Sequence, residues 1–260
     1  MKIAILGLGE AGSHFANDLA KLGIEVVAYD PNPIRKLDDK VILTKSNAEA
    51  SNGAGMDIPD IIFSANLSSV SIQIAEELEG VLKPHQFFCE MNTSGPEKKK
   101  KIAEILKPTG AKVIDLAIMA PVPPKGILTP LLASGEFAAE FLEKVQPLNL
   151  DISMVENSQI GDAATRKLLR SIVYKGIAAV VCEAMEAGEA FGMESYIREQ
   201  ISSLIGGNDD LIDRFVEGSK THAQRRMYEM EAVIEMLEAQ GVEPIVTKGT
   251  RSNLEKLSKK

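Results

Sequence analysis

Three glycines near the N-terminus, Gly7, Gly9 and Gly12, are spaced as in a turn that can cradle a pyrophosphate. They follow the apolar run KIAIL and open the helical pattern EAGSHFANDLAKLG. Each glycine has its own task. Gly7 permits the tight turn, Gly9 lets the main chain approach a ligand, and Gly12 lets helix and strand pack closely. Leu8, Glu10 and Ala11 complete the turn, where backbone N–H groups and the positive end of the helix dipole would face phosphate. Asp30 closes the next apolar run, EVVAYD. Its carboxylate suits the 2′- and 3′-hydroxyls of a ribose and repels a 2′-phosphate, which favours NAD over NADP. Arg35 and Lys36 follow closely enough to admit NADP. A plain strand–helix turn also uses glycine, but it has no need of an acid at the end of the following strand.

The elements that must carry this turn are legible as an alternation. DIIFSA, QFFCEM, AKVIDLAIM and PLLAS read as further strands. SVSIQIAEELEGVL reads as a helix, as does PEKKKKIAEILKPTG, with Pro96 at its start and Gly110 past its end. This β-α-β order predicts a parallel sheet wrapped by helices, an α/β fold. Ligands of such sheets sit beyond the carboxyl ends of the strands. The loops FSANLSS and EMNTSGPE lie there, offering Asn66 and Thr93 to a cofactor and Asn92 to a substrate. Turn and helix-cap chemistry compete for the same side chains, especially Thr93 and Ser94. The Pro-rich APVPPKG reads as a rigid loop, and the lysines from 98 to 101 as a solvated helix face.

After about Ile160 strand patterns cease. GDAATRKLLRSIVYKGIAAVVCEAMEAGEAFGM holds helix formers almost without breakers, and Gly176 and Gly188 inside it read as close-packing points. The remainder is helical in pattern. The expected organisation is an α/β domain over 1–158 and an all-helical domain over 159–260. On the long helix Lys167, Ser171, Tyr174 and Ala178 fall on one stripe, with Lys175 at its edge. In THAQRRMYE, one helical face can gather His222, Arg225 or Arg226, and Glu229. Arginine forks suit carboxylate or phosphate, so this face is a candidate anion contact, with a surface salt-bridge network as the competing reading.

Composition sets limits. Of 260 residues 45% are hydrophobic and 25% charged, with a formal net charge of −8. That balance argues against nucleic acid and anionic membranes as partners. No run approaches membrane-spanning length, and the N-terminus does not read as a signal segment. Cys89 and Cys182 form no framework and read as buried small hydrophobes in a reducing, cytoplasmic setting. The three histidines are scattered, and no metal site is expected.

The pattern GLGEAG…YD…EMNTSGP…GDAATRKLLRS resembles the β-hydroxyacid dehydrogenases, which include 6-phosphogluconate and 3-hydroxyisobutyrate dehydrogenases. KLLRSIVYKGIAAVVCEAMEAGEAFG and HAQRRMYEME resemble a 6-phosphogluconate-dehydrogenase-like branch with its own C-terminal domain. The resemblance covers essentially the whole chain. It implies a Rossmann domain with a doubly wound sheet, a long interdomain helix, a helical domain, and a dimer or higher homo-oligomer. It also implies NAD- or NADP-dependent oxidation of a small anionic hydroxy acid, or reduction of the carbonyl. Gly161 and Lys167 match the family's helix motif, which makes Lys167 the general acid/base. Ser171 stands where the family has asparagine. Thr93 matches the loop D-x-S-T-x-x-P, whose first position is Glu90 here. In the motif D-x-P-V-S-G-G, Asp115 is kept as a substrate contact and Met119 replaces serine, so the APVPPKG loop is expected to take over the substrate-binding task. Imine or ketimine reduction on the same scaffold, and a non-catalytic NAD(H)-binding sensor, are the alternatives. The retained lysine favours alcohol chemistry. A lysine partly buried in a cleft loses proton affinity through desolvation, which suits a base working near neutral pH.

Overall fold

The short apolar runs of the N-terminal half form strands buried on both faces, as a sheet covered by helices on each side requires. The computed structural model describes residues 1–33, 35–55 and 57–259. Within them the chain divides into two compact units, Met1–Thr165 and Arg166–Lys260.

The first unit runs β1 (Lys2–Leu6), α1 (Glu10–Lys21), β2 (Glu25–Tyr29), β3 (Val41–Leu43), α2 (Asn47–Ser51), β4 (Ile61–Ser64), α3 (Ser71–Leu78), β5 (Phe87–Glu90), α4 (Pro96–Leu106), β6 (Lys112–Ile118), β7 (Leu131–Ser134), α5 (Ala138–Val145) and β8 (Ile152–Met154). The strands form one sheet in the order β3-β2-β1-β4-β5-β6-β7-β8. Successive residues of β1 point to opposite faces. Ile3 and Ile5 join Phe15, Leu19, Phe63 and Phe141 in one apolar layer, while Ala4 and Leu6 join Ile62, Phe88, Ile102 and Leu106 in the other. The short β3, α2 and β8 carry no pattern that the sequence alone reveals.

One pairing departs from the expected parallel sheet. β7 runs antiparallel to β6, with Asp115 opposite Ser134. No crossover helix separates these strands, and a strand that returns without one must reverse direction. The Pro-rich segment makes that return. Asp18 of α1 holds it by accepting the Ile127 N–H at 3.0 Å.

The lysine run also departs from expectation. Lys100 is exposed, but Lys99 is 2% exposed, because it continues the buried row of α4 formed with Ile102 and Leu106. Its ammonium donates to the Glu90 carbonyl at 2.9 Å, pairs with the Glu90 carboxylate, and lies 3.1 Å from Asp115 Oδ1. Glu90 and Asp115 are register partners on β5 and β6. Burial raises the Glu90 carboxyl above its ordinary range even with Lys99 beside it. Burial alone would lower Lys99, but the two carboxylates outweigh it and raise the ammonium above its ordinary range.

The second unit is helical. α6 (Asp162–Ala190) is a single helix of 29 residues, about 44 Å long at the α-helical rise. Its first residues, Asp162–Thr165, belong to the first unit. α7 (Glu194–Leu204), α8 (Asp209–Thr221), α9 (Ala223–Ala239) and α10 (Ile245–Ser258) follow. Leu168, Met230, Val233 and Leu254 form one apolar cluster, and Ala178, Val181, Ile212 and Phe215 another. At Gly188 a Cβ would lie 3.0 Å from Ile197, a close-packed contact. At Gly176 it would meet only Val246 at 3.9 Å, so that glycine is not required by packing. No described helix is long and apolar enough to cross a membrane.

Replacing Lys99 with Met should cost roughly 3–5 kcal/mol, because it strands two buried carboxylates. Lys100→Met, on the exposed side of α4, should leave stability within about 0.5 kcal/mol of wild type. Chemical denaturation of both variants reads the difference.

Candidate functional site

β1 delivers the chain to Gly7, whose φ of +93° lies in the region that favours glycine. A side chain there would stand 2.6 Å from the Ala65 carbonyl oxygen and 2.7 Å from Asn66 Oδ1. A Cβ on Gly12 would be 1.9 Å from the Gly7 carbonyl oxygen, so α1 crosses directly against the turn. Gly9 differs from both, since a Cβ there meets nothing within 4 Å. The space in front of it adjoins the start of α1, which has no side-chain cap. An open approach to uncapped helix N–H groups fits a pyrophosphate. Leu8, Glu10 and Ala11 lie around this approach, with Leu8 buried and the other two partly exposed.

Asp30 is brought to the turn. Its Oδ2 accepts the Leu8 N–H at 2.7 Å and its Oδ1 accepts the Asn32 N–H at 2.7 Å. Each carboxylate oxygen retains accepting capacity for a ribose hydroxyl. Arg35 pairs with Glu10 at 3.7 Å beside the same turn. Asn66 stands over Gly7 and donates to Ser64 Oγ at 3.1 Å. The residues expected to hold a dinucleotide therefore converge at the carboxyl ends of β1, β2 and β4.

The loop after β5 is fixed from below. Glu90 Oε1 accepts both the backbone N–H of Asn92 at 3.3 Å and its side-chain amide at 2.5 Å. Asn92 is buried, and its Oδ1 has no hydrogen-bond partner among the described residues. Thr93, next along the loop, is partly exposed. Asp115, expected to contact substrate, is instead fully buried. Its Oδ2 accepts the Ser134 hydroxyl at 3.1 Å and the Ala164 N–H at 2.9 Å, while Ser134 Oγ accepts the Ala163 N–H at 2.9 Å. This carboxylate and the Ser134 hydroxyl together therefore receive two otherwise orphaned donors at the start of α6. Gly161, the family glycine, precedes that start with φ +103°, and a Cβ would press 2.9 Å from Pro96.

In the second unit a separate cluster joins α6 to α9. The predicted stripe is present: Ser171 and Ala178 are buried, and Lys167 and Tyr174 are partly exposed. Lys175, placed at its edge, turns inward. Its ammonium lies 2.6 Å from Glu229 Oε1 and donates to Ser171 Oγ at 3.1 Å, and the Ser171 hydroxyl donates to the same Glu229 oxygen. Arg226 donates to Ser219 Oγ at 2.9 Å and lies 5.9 Å from the Tyr174 ring centre, and Lys175 lies 5.7 Å from it. Tyr174 meets Phe215 edge-on at 5.1 Å. Arg225 is exposed and His222 partly exposed, at the junction of α8 and α9. The face expected to gather His222, an arginine and Glu229 is thus divided. Glu229 and Arg226 turn toward α6 and its partners, while Arg225 points to solvent.

Glu229 was grouped in sequence with its neighbouring arginines, and its role as the partner of Lys175 and Ser171 was not foreseen. One signal existed: it lies on the row Arg226, Glu229, Val233, Met236, where an apolar residue would be ordinary. Burial alone would raise its carboxyl, but Lys175, Lys167 and the two hydrogen bonds outweigh that and hold it below the usual range. Burial lowers Lys175, with Arg226 and Arg225 adding to the effect and Glu229 opposing it. The causes differ: burial dominates at Lys175, whereas neighbouring cations and hydrogen bonds overcome burial at Glu229.

Residues 2–123 match the NAD binding domain of 6-phosphogluconate dehydrogenase, and residues 189–257 match a domain of unknown function, DUF1932. The first unit thus carries an NAD binding domain of the 6-phosphogluconate dehydrogenase type. A 28.5 kDa protein of Methanothermus fervidus is 25% identical over 194 residues, 74% of each chain. The conserved protein MTH1747, described as structurally similar to 3-hydroxyacid dehydrogenases, is 26% identical with a TM-score of 0.73, over 100% of this chain and 97% of its own. The 3-hydroxyisobutyrate dehydrogenase of Mycobacterium tuberculosis shares the fold, with a TM-score of 0.76 over 99% of this chain and 93% of that one, at 15% identity. The glycine turn, Asp30 and Arg35 all lie within the segment that matches the NAD binding domain.

The depressed Glu229 carboxyl has a consequence in acid. A carboxyl whose folded proton affinity is lowered contributes stability that is fully present above its ordinary range and is lost as pH falls through the folded value. Wild type should therefore lose stability more steeply in acid than Glu229→Gln, and the two curves should converge as pH drops. Thermal unfolding across the acid range checks this. A constant gap at all pH values contradicts it.

Proposed function

We propose that the protein is an oxidoreductase that transfers a hydride between a nicotinamide cofactor and a small hydroxy acid. The observation that carries the reading is the glycine turn, with Gly9 open to an approaching phosphate and Asp30 hydrogen-bonded to Leu8 beside it. It lies in a segment matching the NAD binding domain of 6-phosphogluconate dehydrogenase. Leu8, Gly9, Glu10 and Ala11 would hold the pyrophosphate and Asp30 the ribose, with NAD preferred. When bound, the cofactor supplies the hydride acceptor or donor.

The remaining tasks belong to this chain's side chains. Lys167 takes the proton of the substrate hydroxyl in oxidation and returns it in reduction. Thr93 and Asn66 serve the cofactor side, and Asn92 the substrate, whose donors would meet its unpaired Oδ1. Arg225 and His222 attract the substrate's negative charge. Ser171, Tyr174 and Lys175 line the helix beside Lys167. The substrate is a small anion, and a net charge of −8 speaks against nucleic acid. The protein acts as a homodimer or larger homo-oligomer. Leu169, Val173, Ile177 and Val180 support this, because they leave an exposed apolar row along α6.

The test is NADH formation with a panel of hydroxy acids and both oxidised cofactors, comparing wild type with Lys167→Ala. Removing a general base should lower kcat by roughly 10²- to 10⁴-fold. Turnover that survives the substitution removes Lys167 from the role, and binding of NADH without turnover on any acid selects a sensor. Arg225→Ala should raise KM for the acid with little change in kcat, and an unchanged KM takes Arg225 out of the substrate site.

A further inference from the structure

We infer that Arg226 seats the carboxylate of the substrate, and that Gly218 is the position that makes room for it. The inference deepens the proposed function and rests on it, because the ligand it seats is the small hydroxy acid of that reading. It also separates the two adjacent arginines of α9. Arg225, which is exposed, draws the anion from solvent, and Arg226 holds it.

The Arg226 guanidinium is held from three sides. Ser219 Oγ of α8 accepts a hydrogen bond from Nη1 at 2.9 Å. The Tyr174 ring of α6 has its centre 5.9 Å away, a distance at which a cation is attracted to an aromatic face. A Cβ at position 218 of α8 would stand 2.8 Å from Nη2, so a glycine there is what lets the guanidinium lie where it does. Tyr174 and Lys167 lie on one stripe of α6, about two turns apart. Arg226 therefore meets α6 on the stripe that the proposed chemistry uses.

None of the three supports is an acid. Glu229, one turn along α9, gives its Oε1 to Lys175 and Ser171. Among the described residues no carboxylate is paired with Arg226. Lys175 lies over the same Tyr174 ring, at 5.7 Å, and is paired with Glu229. Of the two cations facing that ring, one is answered by an acid and the other is not. A partly buried charge without a counter-charge is costly, and an arriving anion offsets the cost. Arg226 keeps partial exposure, through which a ligand in solution reaches it.

The donors and the charge select the kind of anion. A guanidinium has five N–H groups, and with one given to Ser219 the rest still offer a planar fork. Such a fork matches the two oxygens of a carboxylate side by side. A single unanswered charge suits a monoanion better than a phosphate dianion.

The test is modification of the intact protein by phenylglyoxal with NAD present, read at each arginine by peptide mass spectrometry, with exposed Arg214 as reference. Glycerate and 3-hydroxybutyrate should protect Arg226 and not Arg214. Glycerol should protect neither, and glycerol 3-phosphate should protect Arg226 less well than glycerate. Calorimetric titration with the protecting acid then compares three proteins. Arg226→Gln should bind roughly 10- to 100-fold more weakly than wild type, as expected for lost hydrogen bonds to a charged group. Gly218→Ala should also bind more weakly, because its methyl group displaces the guanidinium. Its thermal stability should be at least that of wild type, since alanine favours a helix over glycine. A guanidinium that serves structure alone leaves acid affinity unchanged in Gly218→Ala. That result, an unprotected Arg226, or stronger protection by glycerol 3-phosphate overturns the inference. If Arg226→Gln does not fold, protection in wild type and affinity in Gly218→Ala decide. Arg226-dependent acid binding without NADH formation on any acid removes the dehydrogenase reading and leaves the carboxylate seat standing. NADH formation with an unmoved KM in Gly218→Ala removes the seat and leaves the dehydrogenase.

Discussion

The ammonium of Lys99 is the point on which the first unit turns. It sits between two acids on adjacent strands and also donates to the main chain of β5. From those acids the connections spread. Glu90 grips the loop that carries Asn92 and Thr93, and Asp115 accepts the Ala164 N–H in the first turn of α6. A single buried cation thereby fixes a loop at the mouth of the nucleotide cleft and the origin of the long helix. Apolar residues in its place could fill the space but could not hold two strands, a loop and a helix end in one register. Buried ion clusters are often poor contributors to stability and better contributors to uniqueness, and this one is placed where uniqueness matters.

The second unit carries the inverse arrangement. There one acid, Glu229, stands among several cations, and its surroundings are only partly closed to water. In the first cluster the ammonium is enclosed, paired with two carboxylates and bonded to a main-chain carbonyl. In the second, burial lowers the proton affinity of Lys175 and the nearby arginines add to the effect, against the opposing pull of Glu229.

The glycine turn and Asp30 were legible because their roles depend on backbone conformation and a short spacing. The alternation of strands and helices was legible for the same reason, since period and length decide it. The antiparallel β7 was not, because strand direction follows from what the connection does in space, and APVPPKG reads only as a loop. Lys99, Asp115 and Glu229 were misjudged in a common way. Each is a charged residue on a buried row or strand, and charge suggested solvent or ligand. Some of their partners lie far along the chain, Ser171 and Glu229 being 58 residues apart. No local pattern reports such a partner, although a charge interrupting an apolar row is a visible warning.

The way α6 begins bears on how the protein is made. Its first donors are received by Asp115 and Ser134, which precede their partners by 49 and 29 residues. On a ribosome those acceptors emerge before the helix does. Starting a helix is the costly step and extending it is cheap. Acceptors held by the sheet satisfy two of the N–H groups that a helix start leaves open, which lowers the cost of starting α6. The acceptors for the first turn of α6 thus precede the helix in the chain, and both ends of these bonds lie within the first unit.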